Sequence, residues 1–119
     1  MKTGTQIRLY LDDVRPCPEG WTLAKTAKSA ISILEKHDVK DVSLDHDLGD
    51  DKNGTGNDVL VWIEAKTFLD ENYIPPKMQV HSDNPAAVQK MKMGIDRVNE
   101  EYSHRIRSKG KQICNTIPE

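Results

Sequence analysis

Long apolar runs are missing from this chain, and so is most sulfur and aromatic chemistry. No stretch approaches the roughly 20 consecutive apolar residues of a membrane-spanning helix, which predicts a protein with no membrane partner. The start, M-K-T-G-T-Q, leads straight into an apolar strand without the pattern of a signal peptide. There are only 2 cysteines among 119 residues. Cys17 and Cys114 are far apart and form no C-x-x-C pair, which argues against a cysteine-built zinc site and a disulfide framework. Two free thiols in a reducing, cytoplasmic setting are the expectation. Charge of one sign is also lacking: 17 Lys and Arg stand against 19 Asp and Glu, a formal net charge of -2. That balance gives no global argument for a nucleic-acid partner. An apolar fraction of 36% beside a charged fraction of 30% predicts a thin core under a charged surface. The periodic apolar segments nevertheless argue for a folded chain, and the length suits one domain, residues 1–119.

What is present is a set of apolar runs that end in reactive side chains. Residues 42–49 read V-S-L-D-H-D-L-G, an apolar run that breaks into Asp45, His46 and Asp47. Upstream, residues 7–13 read I-R-L-Y-L-D-D and end in Asp12 and Asp13. Downstream, residues 78–84 read M-Q-V-H-S-D-N and supply His81, Ser82 and Asn84. In a parallel sheet the strand ends share one side, where open α/β sheets bind ligands.

In order, residues 7–11 predict a first strand, followed by a Pro-rich loop at 16–20 that cannot be helical. A second strand follows at 21–25, then a helix at 27–36 capped by Thr26. A third strand is expected at 41–44. The glycine-bearing loop at 50–56 fails the calcium-loop pattern, because Gly49 and Leu60 would fall on ligand positions, so a lid or surface loop is expected. A helix at about 59–69, capped by Asn57 or Asp58, a fourth strand at 78–81 and a long amphipathic helix after Asn84-Pro85 complete the order. Gly110 is expected to end that helix; a short strand or a tail then occupies 113–117. Part of the helix's apolar stripe is available as a homodimer surface. The alternation predicts an α/β fold, a small three-layer sandwich on a mostly parallel sheet of strand order 2-1-3-4, with right-handed crossovers.

Four carboxylates, Asp12, Asp13, Asp45 and Asp47, are aimed at one crevice. Their mutual repulsion would raise some pKa values unless a cation intervenes. Oxygen-rich ligation of this kind suits a divalent metal, Mg2+ or Mn2+. His81 and His46 can carry a proton or ligate a softer metal; a backbone-bonded loop latch is the plain alternative. Arg15 can clamp a phosphate or neutralise an aspartate. Ser82, Asn84 and the following helix start offer a phosphate seat, or an ordinary cap. Arg105, Arg107, Lys109 and Lys111 read first as cations complementing the end of the last helix and second as an RNA contact. His37 and His104 fall on helix surfaces and carry no role.

The paired acids Asp12 and Asp13, Asp45 after the third strand and Ser82 after the fourth resemble the receiver (flavodoxin-like) domain of response regulators over roughly residues 7–98. The first receiver helix is replaced by a loop, and no fifth strand with its terminal lysine is visible. The motifs L-D-D-V-R, L-D-H-D-L-G and H-S-D-N are similar to those of the cyclic-phosphate-processing receiver-like group. That resemblance implies a metal-dependent phosphoesterase, a hydrolase acting on a cyclic or terminal phosphate of a small molecule or RNA end, in the manner of RNA processing. It implies Asp12, Asp13, Asp45 and Asp47 at the metal, His81, His46 and Asp45 in the chemistry, and Arg15, Ser82 and Asn84 on the phosphate. A non-catalytic signalling or phosphate-binding module, with Asp45 as phosphoacceptor, is the alternative.

Overall fold

The computed structural model describes residues 6–46, 48–49 and 51–116, with side chains left aside at 51 and 107–116. Four strands, β1 (Gln6–Leu11), β2 (Thr22–Ala24), β3 (Asp38–Leu44) and β4 (Lys77–Val80), form one sheet in the order β2-β1-β3-β4. Every pairing is parallel. Three helices follow the strands: α1 (Ala27–Lys36), α2 (Gly56–Leu69) and α3 (Pro85–Thr116). The α/β, receiver-like architecture and the strand order agree with the sequence analysis, and no helix joins β1 to β2.

Side-chain alternation splits the sheet into two unlike faces. Leu9, Leu11, Val42 and Leu44 point to one face and join Ala27, Ala30 and Leu34 of α1, Leu60 and Ile63 of α2, and Met91 and Val98 of α3 in a single core. Burying each such aliphatic side chain is worth about 1.5–3 kcal/mol. The opposite face carries Arg8, Tyr10, Asp41, Ser43, Lys77 and Gln79, and Arg8, Lys77 and Gln79 are exposed. The helices lie in one row, α1 against α2 and α2 against α3. A loop stands in place of the first receiver helix, as the sequence predicts, and the last helix packs beside α2.

Local signals account for most helix starts. Thr26 caps α1 by accepting from the Ser29 N–H at 3.1 Å. Thr55, not Asn57 or Asp58, caps α2: its hydroxyl accepts from the Asp58 N–H at 3.2 Å and the Asp58 carboxylate accepts from the Thr55 N–H at 2.9 Å. This reciprocal box starts the helix three residues earlier than the expected 59. Asn84 caps α3 by accepting from the Ala87 N–H at 3.2 Å, with Pro85 in the first helical position. The 50–56 loop contains a 3-10 turn at Asp51–Asn53.

The far end of α3 departs from expectation. Gly110 does not stop it, and residues 113–116 are helical, neither strand nor tail. A glycine ends a helix by turning left-handed, and Gly110 is not among the positive-φ glycines. Arg105 serves a neighbouring helix: it donates to the carbonyl oxygens of Thr67, Glu71 and Tyr73, at the C-terminal end of α2. The side chains of Arg107, Lys109, Lys111 and Cys114 lie outside the described residues, and Cys17 is a free thiol. No described helix is long and apolar enough to cross a membrane.

Candidate functional site

Register builds the site. Leu11, Leu44 and Val80 are aligned at the ends of β1, β3 and β4. The ladder continues one step further: the Asp12 N–H donates to Ala24 O at 3.0 Å, the Asp45 N–H to Leu11 O at 3.1 Å and the His81 N–H to Leu44 O at 2.9 Å. Asp12, Asp45 and His81 are thus neighbours because each is the first residue beyond its strand. One ligand atom from each lies within 4.8 Å of the others.

Asp12 is 1% exposed and heavily hydrogen-bonded. Its Oδ1 accepts from the backbone N–H groups of Val14 and Arg15 at 2.8 and 2.9 Å. Its Oδ2 accepts from Arg15 Nη1 at 3.1 Å and faces His81 Nε2 at 3.0 Å. Burial pushes the Asp12 carboxyl up, but these four hydrogen bonds together outweigh it and hold its pKa below the ordinary value. A cation does stand among the carboxylates, as the condition in the sequence expectation required: it is the guanidinium of Arg15. Arg15 Nη1 stands 3.8 Å from Asp45 Oδ2, donates to His81 O at 3.0 Å, and Nη2 reaches Asp83 Oδ2 at 2.8 Å. The hydrogen bond to Asp12 first, and then the charges of Asp83, Asp12 and Asp45, raise the Arg15 pKa against a smaller opposing effect of burial.

An open crevice of ≈ 710 Å³ lies over these residues. Asp12, Asp13, Arg15, Asp45, His46, Ser82 and Asn84 all line it, together with Asp83. Asp13 lines the mouth but is outside the Asp12–Asp45–His81 grouping. Asp47 lies outside the described residues. Ser82 Oγ accepts from the Asn84 N–H at 3.2 Å, so this pair is also a local turn and helix cap. Gly49 is required at the rim: its φ is +83, and a Cβ there would stand 2.8 Å from Asp13 Oδ2. Gly56 allows α2 to begin against β3, since a Cβ there would meet the Asp45 carbonyl oxygen at 2.1 Å.

His81 sits behind the crevice wall. Its ring stacks on Tyr10, with centroids 4.4 Å apart and 3° between planes. Nδ1 is 2.6 Å from Ser43 Oγ, which in turn accepts from Gln79 Nε2 at 3.2 Å. Sequence patterning missed Ser43, Tyr10 and Asp83. For Tyr10 and Ser43 the signal is the strand alternation, which puts them with Gln79 on the face to which His81 also turns.

The acid pair fits a divalent cation: the Asp12 and Asp45 carboxylates converge beside the His81 ring and already gather a positive group.

A family model described as a cyclic-phosphate processing receiver domain matches residues 7–97. The chain belongs to this family. No protein of curated function and no solved structure matches it. In this cyclic-phosphate processing receiver domain, Asp12 and Asp45 directly follow β1 and β3. Among the described residues lining the crevice there is no lysine, and its cation is Arg15.

Proposed function

We propose that this receiver domain is a metal-dependent phosphoesterase that opens or removes a cyclic or terminal phosphate on a nucleotide or RNA end. The observation that carries the proposal is the convergence of Asp12, Asp45 and His81 within 4.8 Å under a crevice that also holds Arg15. A phosphoacceptor site needs the acids; the imidazole beside them favours turnover. Asp12 and Asp45 hold a divalent ion, Mg2+ or Mn2+ by their oxygen chemistry, with Asp13 available at the mouth. When bound, such an ion favours ionisation of water and offsets phosphate charge.

The residues divide the remaining work. For a 2′,3′-cyclic phosphate, the water oxygen bonds to phosphorus, one ribose P–O bond breaks, and a proton passes to the departing ribose oxygen. His81, hydrogen-bonded to Asp12, carries that proton; His46 on the crevice wall is the alternative carrier. Arg15 and Ser82 hold non-reacting phosphate oxygens, and Asn84 fixes the turn that presents Ser82. The test is metal-dependent release of phosphomonoester from a 2′,3′-cyclic nucleotide, lost in Asp45→Ala. No release at any of Mg2+, Mn2+ or Zn2+ sinks the proposal.

A second reading rests on a specific placement. Asp45 follows the central strand β3, as a receiver phosphoacceptor does, and is 7% exposed. A signalling module of that type gains stable mass at Asp45 on incubation with acetyl phosphate and leaves cyclic nucleotides intact.

A further inference from the structure

Ser43 is 1% exposed on β3, on the sheet face away from the helices. No role in the crevice accounts for it. Its hydroxyl lies 2.6 Å from His81 Nδ1, a contact made beneath the crevice and not in it. On the other side of the ring, Nε2 faces Asp12 Oδ2 at 3.0 Å. An ionised carboxylate only accepts, so Nε2 must bear the proton of that bond. In the neutral ring Nδ1 is then bare and must accept. Ser43 Oγ already accepts from Gln79 Nε2, and its own hydrogen is available for Nδ1. Every group in the chain Gln79–Ser43–His81–Asp12 is satisfied with one direction of donation. Tyr10, stacked parallel on the ring, holds its plane.

We infer that Ser43 is a positioning residue that locks the neutral His81 ring with its proton on Nε2, directed at Asp12. The consequence is chemical. A ring held this way is a donor to the acid pair and offers no lone pair to a metal, because ligation through Nε2 needs the proton moved to Nδ1. The cation site is thereby left to oxygen ligands, which favours Mg2+ or Mn2+ over Zn2+. This assignment of His81 as a donor deepens the phosphoesterase proposal and rests on it only for what the donated proton does.

The experiment is a long-range 15N–1H spectrum of the full chain with 15N-labelled histidine, at a pH where the ring is neutral. The expected pattern for His81 is a protonated Nε2 and a hydrogen-bonded, acceptor Nδ1. It is expected to persist at saturating Mg2+ and on addition of Zn2+. A proton on Nδ1, with or without either ion, overturns the inference. In Ser43→Ala, checked for folding by its amide spectrum, the Nδ1 resonance is expected to move downfield toward a free imidazole nitrogen; an unmoved resonance overturns it. Gln79→Ala, at an exposed edge position, is expected to give a smaller shift of the same sign. If a 2′,3′-cyclic nucleotide is turned over, Ser43→Ala lowers kcat about tenfold with KM changed less than about twofold, and Ser43→Thr restores kcat. A wild-type protein that hydrolyses nothing yet shows the protonated-Nε2 pattern refutes the phosphoesterase proposal and leaves the Ser43 assignment standing.

Discussion

Arg15 is the residue on which the site's charge turns. Its guanidinium touches Asp12 and Asp83 and stands near Asp45, the position in which a divalent ion would neutralise the same carboxylates. A metal and Arg15 therefore compete for Asp12 and Asp45. Arg15→Ala is predicted to tighten Mg2+ or Mn2+ binding, on the order of tenfold at low salt, while weakening retention of inorganic phosphate. Calorimetry with each ion and with phosphate checks both signs. Gly49 gives a separate prediction. Gly49→Ala forces a left-handed backbone on a residue with a Cβ and drives that Cβ onto Asp13, so a loss of about 1 kcal/mol or more is expected in denaturant midpoint. Asp12 sets a pH dependence. Its folded pKa is depressed, so its contribution is present above the ordinary carboxylate value of 3.8 and is lost as pH falls below it. Asp12→Asn should flatten that part of the acid stability profile. Asp12, Asp45 and His81 were legible in the sequence because each ends an apolar run. Ser43 and Tyr10 were not, since inside a strand a polar or aromatic residue reads as half of an alternation until its partner is known.

At the scale of elements, the strands' register does the work that motif spacing only hinted at. The match of Leu11, Leu44 and Val80 turns three sequence-distant residues into neighbours. The helix caps are the next most legible feature. Thr26 and Asn84 were readable as single cap residues, whereas Thr55 was obscured by the more familiar Asn57 and Asp58 two and three positions on. Thr55→Ala removes the hydroxyl half of the capping box and is predicted to cost about 1 kcal/mol, read as a shift in urea midpoint. Because α2 starts against the Asp45 carbonyl, fraying there should also broaden the Asp45 and His46 amide resonances. Gly110 misled for a plain reason: glycine inside a helix costs about 1 kcal/mol relative to alanine, and that cost does not by itself stop a helix.

For the whole molecule, the layer arrangement separates stability from chemistry. The three helices bury one face of the sheet, and the site occupies the strand ends with its supporting side chains on the other face. Ligand binding at the strand ends therefore ties β1, β3 and β4 together without touching the core. An ion that binds only the folded chain stabilises it by mass action, about 2.7 kcal/mol at one hundred times its dissociation constant. A thermal melt of the wild type is predicted to rise by roughly 5–15 °C at that excess of Mg2+ or Mn2+. Asp45→Ala should melt at the same temperature with and without the ion, since it removes one of the two carboxylates. Arg15→Ala should reach the full rise at lower ion concentration than the wild type. A wild-type melt that ignores all three ions Mg2+, Mn2+ and Zn2+, in a protein that still takes up acetyl phosphate at Asp45, would leave the receiver reading in place of the hydrolytic one.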